Sequence, residues 1–133
     1  MMKVQTYAWP VGRVLMAFIF VAAGGQKLSD PSGTAAYMTT IGIPGLLVWP
    51  TILFEILAGL FIAAGFLTRY TALALAGFCV ATALMAHSNF ADAIQPVLFM
   101  KNLAMAGGFL ILAVAGAGPL SVDGARAGKT AAA

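Results

Sequence analysis

Glu55 is the residue on which a chemical reading of this sequence turns. It stands inside an apolar run from about Leu46 to Leu67, nine residues from its start. A helix rising 1.5 Å per residue would carry it about 13 Å along that run. This is near the middle of a hydrocarbon layer about 30 Å thick. A carboxylate at that depth is costly unless it is protonated, paired or hydrated, so it marks either a functional site or a tie between helices. Lys27, His87 and Lys101 supply complementary chemistry. Lys27 closes one apolar run, His87 closes another and Lys101 opens a further one, with Gln26 and Asn102 beside the two lysines. If consecutive runs alternate in direction, these groups meet toward one face of the membrane, with Glu55 about 10 Å or less below them. Glu55 and His87 are then the candidate catalytic pair, able to relay protons. Lys27, Lys101, Asn102 and Gln26 are the candidate ligand-binding set, suited to an anionic or carbonyl-bearing headgroup. Taken singly, each lysine reads better as an interfacial anchor whose head snorkels to water; the case for a site rests on their convergence.

Other chemistries find too few residues. His87 is the only histidine, so a haem held by two histidines cannot form within one chain. A His/Met haem would use Met85, Met100 or Met105, but methionine is more often packing material. A zinc or copper site lacks ligands, and no metal or haem is expected. Cys79 is the only cysteine, which excludes an intrachain disulfide and a CxxC motif; mid-run, it reads as a small packing residue. There is no Gly-rich phosphate loop and no Ser/His/Asp set. The basic residues are scattered singly, which argues against nucleic acid as a partner.

The elements that must position Glu55 follow from composition. Of 133 residues 62% are hydrophobic and 8% charged, against about 25% charged in soluble domains. Mean hydropathy is +0.97. Such a chain can neither cover a soluble globule nor stay disordered. Four apolar runs, about 8–28, 46–67, 70–87 and 97–117, are long enough to span and lack the alternation of a membrane barrel. The expected fold is all-α: an integral-membrane, antiparallel four-helix bundle, forming one domain over residues 1–118. Asp30 before Pro31 reads as an N-cap followed by a first-turn proline, and Gly42-Ile43-Pro44-Gly45 as a stop. A short interfacial helix is therefore expected between the first two spans. Thr68-Arg69 forces a tight hairpin between the second and third. The tail, 119–133, is expected to be cytoplasmic and mostly mobile, with order confined to Pro119–Asp123.

With four spans both termini share one side. That side carries Lys3, Arg13, Arg69, Arg126 and Lys129 against Lys27 and Lys101 on the other, which places the termini in the cytoplasm. Arg13 and Arg69 are thus read as structural and orienting residues. Arg13, beside Pro10 and Gly12, is the better candidate for a buried partner, either helix C-terminal carbonyls or Asp123. Gly24-Gly25, Gly59 with Ala63, and Ala104 with Gly107 and Gly108 offer small faces for close helix contact or self-association, so a homo-oligomer is compatible with the sequence.

Gly12-Arg13, Gly25-Gln26-Lys27-Leu28, Ile41-Gly42-Ile43-Pro44, Glu55 with Gly59, Gly65-Phe66-Leu67-Thr68-Arg69, His87, Lys101-Asn102-Leu103-Ala104 and Gly116 to Asp123 occur in an order and spacing that resembles the DoxX family of small four-helix membrane proteins. The family is named after a small subunit of a quinone-linked thiosulfate-oxidising complex. The resemblance implies a bacterial inner-membrane protein associated with quinone or with redox-complex subunits. The chain has no redox centre of its own, so a subunit role is expected rather than autonomous electron transfer. The alternatives are a non-enzymatic scaffold or assembly factor, or a bundle that binds lipid or a small molecule. A small transporter fits less well, because no inverted repeat or broken helix is visible.

Overall fold

The computed structural model describes residues 2–131. Its elements, in order, are α1 (Met2–Ser29), α2 (Pro31–Thr40), a 3-10 turn (Gly45–Leu47), α3 (Val48–Ala64), α4 (Thr68–Ala86), α5 (Gln95–Ala115) and α6 (Val122–Ala131). Four stretches, Lys3–Ser29, Gly45–Ala64, Thr68–Ala86 and Gln95–Ala115, are long and apolar enough to cross a membrane. Each coincides with one of the runs read from the sequence. Leu15, Phe18, Leu46, Ile111 and Val114 point outward and are exposed. In water such a surface would be prohibitive; in lipid it is the ordinary exterior of a spanning helix. The fold is an all-α membrane bundle.

Two boundaries differ from the sequence reading. α1 starts well before residue 8 and passes through Pro10 without interruption. After residue 118, helix continues as α6 to Ala131, beyond the short ordered stretch expected there. The interfacial helix takes the expected place as α2. Asp30 accepts a hydrogen bond from the Gly33 amide at 2.9 Å, and Pro31 occupies the first turn. Gly42, at φ 81°, turns the chain back. Met38 packs on Val48 and Ile52, and the Tyr37 hydroxyl donates to the Ala86 carbonyl at 3.3 Å. α2 is thereby tied to both α3 and the far end of α4.

The spanning helices form two close pairs, α1 with α3 and α4 with α5. Small residues set the first pair. A Cβ on Gly59 would lie 2.8 Å from Val21 Cγ2 and 3.2 Å from the Ala17 carbonyl oxygen; one on Gly24 would lie 2.5 Å from Ile56 Cγ1. Backbones in lipid approach this closely only where side chains are missing. The pairs meet across Ala58, Ile62, Leu75, Cys79, Ala106 and Phe109. Phe20 bridges them, with its ring centroid 5.5 Å from Phe109 and 6.3 Å from Phe78. Although the turn joining them is tight, α3 and α4 diverge and leave a groove between them.

Candidate functional site

A buried ion pair lies at one end of the bundle. Gly24, one turn before Lys27, admits α3 close against α1, and a Cβ there would be 3.4 Å from Glu55 Cβ. Ile52, Glu55, Gly59 and Ile62 are buried at spacings of three and four along α3, so one helical stripe carries both the close contact and the carboxylate. Lys27 Nζ donates to Glu55 Oε1 at 3.0 Å and to Oε2 at 2.9 Å. The Glu55 side chain is 6% exposed and that of Lys27 27%. The lysine stem therefore lies along the bundle while its head keeps one open side.

The other sequence candidates do not join this pair. His87 Nδ1 lies 2.8 Å from Gln95 Oε1, closing the α4–α5 connection. Asn102 is buried, but its amide donates to the Leu98 carbonyl of its own helix at 2.9 Å. Lys101 and Gln26 are exposed. Adjacent residues on a helix differ by about 100°, so burying Asn102 turns Lys101 away. The convergence read from chain order is thus reduced to Lys27 and Glu55, because topology sets the level of a residue and not its phase.

The opposite end, where α1 begins and α6 follows α5, is held by a second polar assembly. Arg13 is 2% exposed; its Nη1 donates to the Ala117 carbonyl at 2.8 Å and its Nη2 to the Leu120 carbonyl at 2.7 Å. Neither expected partner is the one it bonds: Ala117 and Leu120 lie in the loop between α5, which ends at Ala115, and α6, which starts at Val122. Gly65 ends α3 at φ 68°, and a side chain there would run into the Arg13 guanidinium. Arg69 Nη1 donates to the Ala113 carbonyl at 2.8 Å and also to that of Val114, meeting the negative end of α5. α4 has no side-chain cap of its own at Leu67. Asp123 supplies one from 55 and 56 residues away: Oδ2 accepts from the Thr68 amide at 2.8 Å and Oδ1 from the Leu67 amide at 3.0 Å. The Asp123 amide donates to the Gly65 carbonyl at 2.9 Å. Burial pushes the Asp123 carboxyl upward, but hydrogen bonds from Thr68 and Leu67 and the charge of Arg126 outweigh it and hold the group below the ordinary carboxylate range. Arg126 sits 5.5 Å above the Phe66 ring, which fastens α6 to the turn it caps.

Sequence reasoning found Arg13 and Arg69 through their charge and assigned them mainly to orientation. It missed the capping role of Asp123 and the pairing of Gln95 with His87. One signal was available for Asp123: the α3–α4 turn contains no Ser, Asp or Asn before Thr68, so the amides at the start of α4 needed a distant acceptor.

The family model described as DoxX matches residues 8–88. The inner membrane protein YqjF of Escherichia coli (strain K12) is 46% identical over 123 residues, covering 92% of this chain and 95% of that protein. The inner membrane protein YphA of the same organism is 32% identical over 120 residues, covering 85% and 86%. No solved structure matches. The matched interval contains both halves of the ion pair, Arg13, and the Gly65–Arg69 turn. The chain belongs to the DoxX family.

Proposed function

We propose that the chain is an inner-membrane subunit that holds a quinone-type carbonyl headgroup at Lys27 and Glu55 and serves a redox complex whose redox centres lie on other subunits. The observation that carries this reading is the buried pair itself. An ammonium group has three N–H donors, and Glu55 takes two of them. The remaining donor, on a head that is partly exposed, suits an acceptor oxygen arriving from the membrane side. Glu55 fixes the ammonium and places a proton-accepting carboxylate beside it. His87, held by Gln95 at the same end, offers a second proton carrier nearer the surface. A bound quinone would supply the electron and proton uptake that these side chains alone do not perform. The relatives' names support an inner-membrane location. The excess of Lys3, Arg13, Arg69, Arg126 and Lys129 at the terminal end supports cytoplasmic termini.

The test is quinone retention. Wild-type protein purified into lipid nanodiscs should carry quinone above the level of empty nanodiscs and melt higher when ubiquinone is added. Lys27→Met should do neither. Wild-type protein that neither retains quinone nor responds to it would overturn the reading. A second reading, a non-enzymatic scaffold, is favoured by one observation: both Glu55 oxygens and the His87 ring are already engaged within the chain. Under that reading Glu55→Gln changes stability or the set of co-purifying proteins and leaves quinone content at background throughout.

A further inference from the structure

We propose that the terminal end of the bundle and the groove between α3 and α4 together form a binding site for a phospholipid with an amine-bearing, ethanolamine-type headgroup. The headgroup end is a cavity of about 370 Å³ lined by Thr68, Arg69, Tyr70, Gly116, Gly118 and Asp123, among others. Opposite charges line it. Arg69 uses Nη1 for the Ala113 and Val114 carbonyls. Its Nη2–Nε edge runs along Gly116, where an added Cβ would lie 3.1 Å from Nη2. The missing side chain leaves that edge open to the cavity, as a phosphate requires. Asp123 accepts one amide on each oxygen, and a carboxylate has about four acceptor positions. Lone pairs therefore remain for an ammonium N–H.

The tail end adjoins it at Tyr70. Tyr70 lines both the headgroup cavity and an apolar groove of about 460 Å³ between α3 and α4, which also touches Leu53, Leu57 and Phe61. That groove shares Pro50, Phe54 and Ala74 with a further hollow of about 400 Å³ reaching Leu47 and Phe78. From Pro50 to Phe61 the helix rises about 16 Å, close to the ~15 Å half-thickness of a hydrocarbon core. One acyl chain entering at Tyr70 fits that length. The headgroup chemistry is selective. An anionic glycerol headgroup offers no cation to Asp123, and a choline headgroup carries a cation with no N–H to donate. The headgroup cavity lies at the opposite end from Lys27, and neither Lys27 nor Glu55 lines the cavity or the groove, so the site stands independently of the quinone reading.

A photoactivatable diazirine-acyl phosphatidylethanolamine, and the matching phosphatidylglycerol, would be incorporated into nanodiscs holding the full chain, and labelled peptides mapped by mass spectrometry. The expected result is labelling within 50–61 and 70–78, with the ethanolamine lipid exceeding the glycerol lipid at least about fivefold. Ala74→Phe, which fills the groove from an exposed position outside the headgroup cavity, should cut that labelling by a similar factor. Equal labelling by the two headgroups in the wild type would show ordinary annular lipid and overturn the proposal, whether or not the variant folds. So would labelling that Ala74→Phe leaves unchanged in folded protein.

Discussion

Removing Lys27 while keeping Glu55 is the sharpest perturbation of the buried pair. Lys27→Met keeps most of the apolar stem and deletes both hydrogen bonds to the carboxylate. Breaking a buried pair from one side costs about 3–5 kcal/mol, because the surviving group is left without compensation. Lys27 retains 27% side-chain exposure, so water already weakens the interaction, and a loss near 3 kcal/mol is expected. Glu55→Met should cost less, about 2 kcal/mol, because the freed lysine can snorkel outward. The double variant removes the desolvation of both charges together and should fall within about 1 kcal/mol of wild type. The coupling is then at least about 4 kcal/mol. This is above the ~1.7 kcal/mol upper limit found for interhelical polar pairs in a membrane bundle, as charge on both partners should make it. Reversible unfolding in mixed detergent micelles, run as a double-mutant cycle, reads this number directly. Single effects that add to within about 0.5 kcal/mol would mean that the two residues act independently, and the site described here would not exist.

Other outcomes follow from contacts elsewhere. Gly59→Leu forces α1 and α3 apart and should destabilise by about 1–3 kcal/mol, whereas Gly77→Ala, facing open space, should be neutral or stabilise by up to about 1 kcal/mol; melting temperatures separate the two. Arg13→Met orphans the bonds to Ala117 and Leu120. At about 1.5–3 kcal/mol for each charge-assisted bond, a loss of about 3 kcal/mol is expected, with faster amide exchange after residue 117. The Asp123 carboxyl is held below its ordinary range. Its contribution is therefore fully present above the unfolded value, about 3.9, and is lost as pH falls through the lower folded value. Amide protection of α6 should be the same at pH 7 and pH 5 and should decline below about pH 4. Asp123→Asn should weaken that protection at neutral pH and flatten the profile, and an unchanged acid profile in the variant would reject the capping role.

The scarcity of charge made part of this legible in advance. With so few ionisable residues in an apolar chain, Glu55 and Arg13 stood out, and both are buried among polar partners. The four spans and α2 were equally readable, since run length and the Asp30-Pro31 start are local signals. What failed was phase. Lys27 and Lys101 both sit at the correct level for Glu55, and only the rotation of α1 and α5 about their axes decides between them. That rotation is set by Gly24 against Ile56 in one case and by burial of Asn102 and Ala106 in the other. These are tertiary fits that no local pattern encodes. The same holds for Asp123, whose acceptor role depends on a turn more than 50 residues earlier.

The placement of the polar ties also bears on how the bundle can move. Within each pair, α1 with α3 and α4 with α5, contact is close along the helices. Between the pairs it depends on rings and small side chains around Phe20, Phe78 and Phe109, a contact without hydrogen bonds that tolerates sliding. The groove between α3 and α4 has the same cause. At the terminal end, however, directional bonds cross from one pair to the other. Arg13 on α1 holds the chain that leaves α5. Asp123 from that chain caps α4 and bonds the end of α3 through its amide. At the other end the crossing tie among the described residues is weaker, a bond of 3.3 Å from Tyr37 to Ala86. A relative motion of the pairs is therefore expected to pivot on the terminal clasp and to open toward α2, on the side of Lys27. Any ligand that reaches Lys27 and Glu55 would do so through the looser end, and disrupting the Tyr37 tie with Tyr37→Phe should increase solvent exchange at the outer ends of α3 and α4 while leaving the clasp protected.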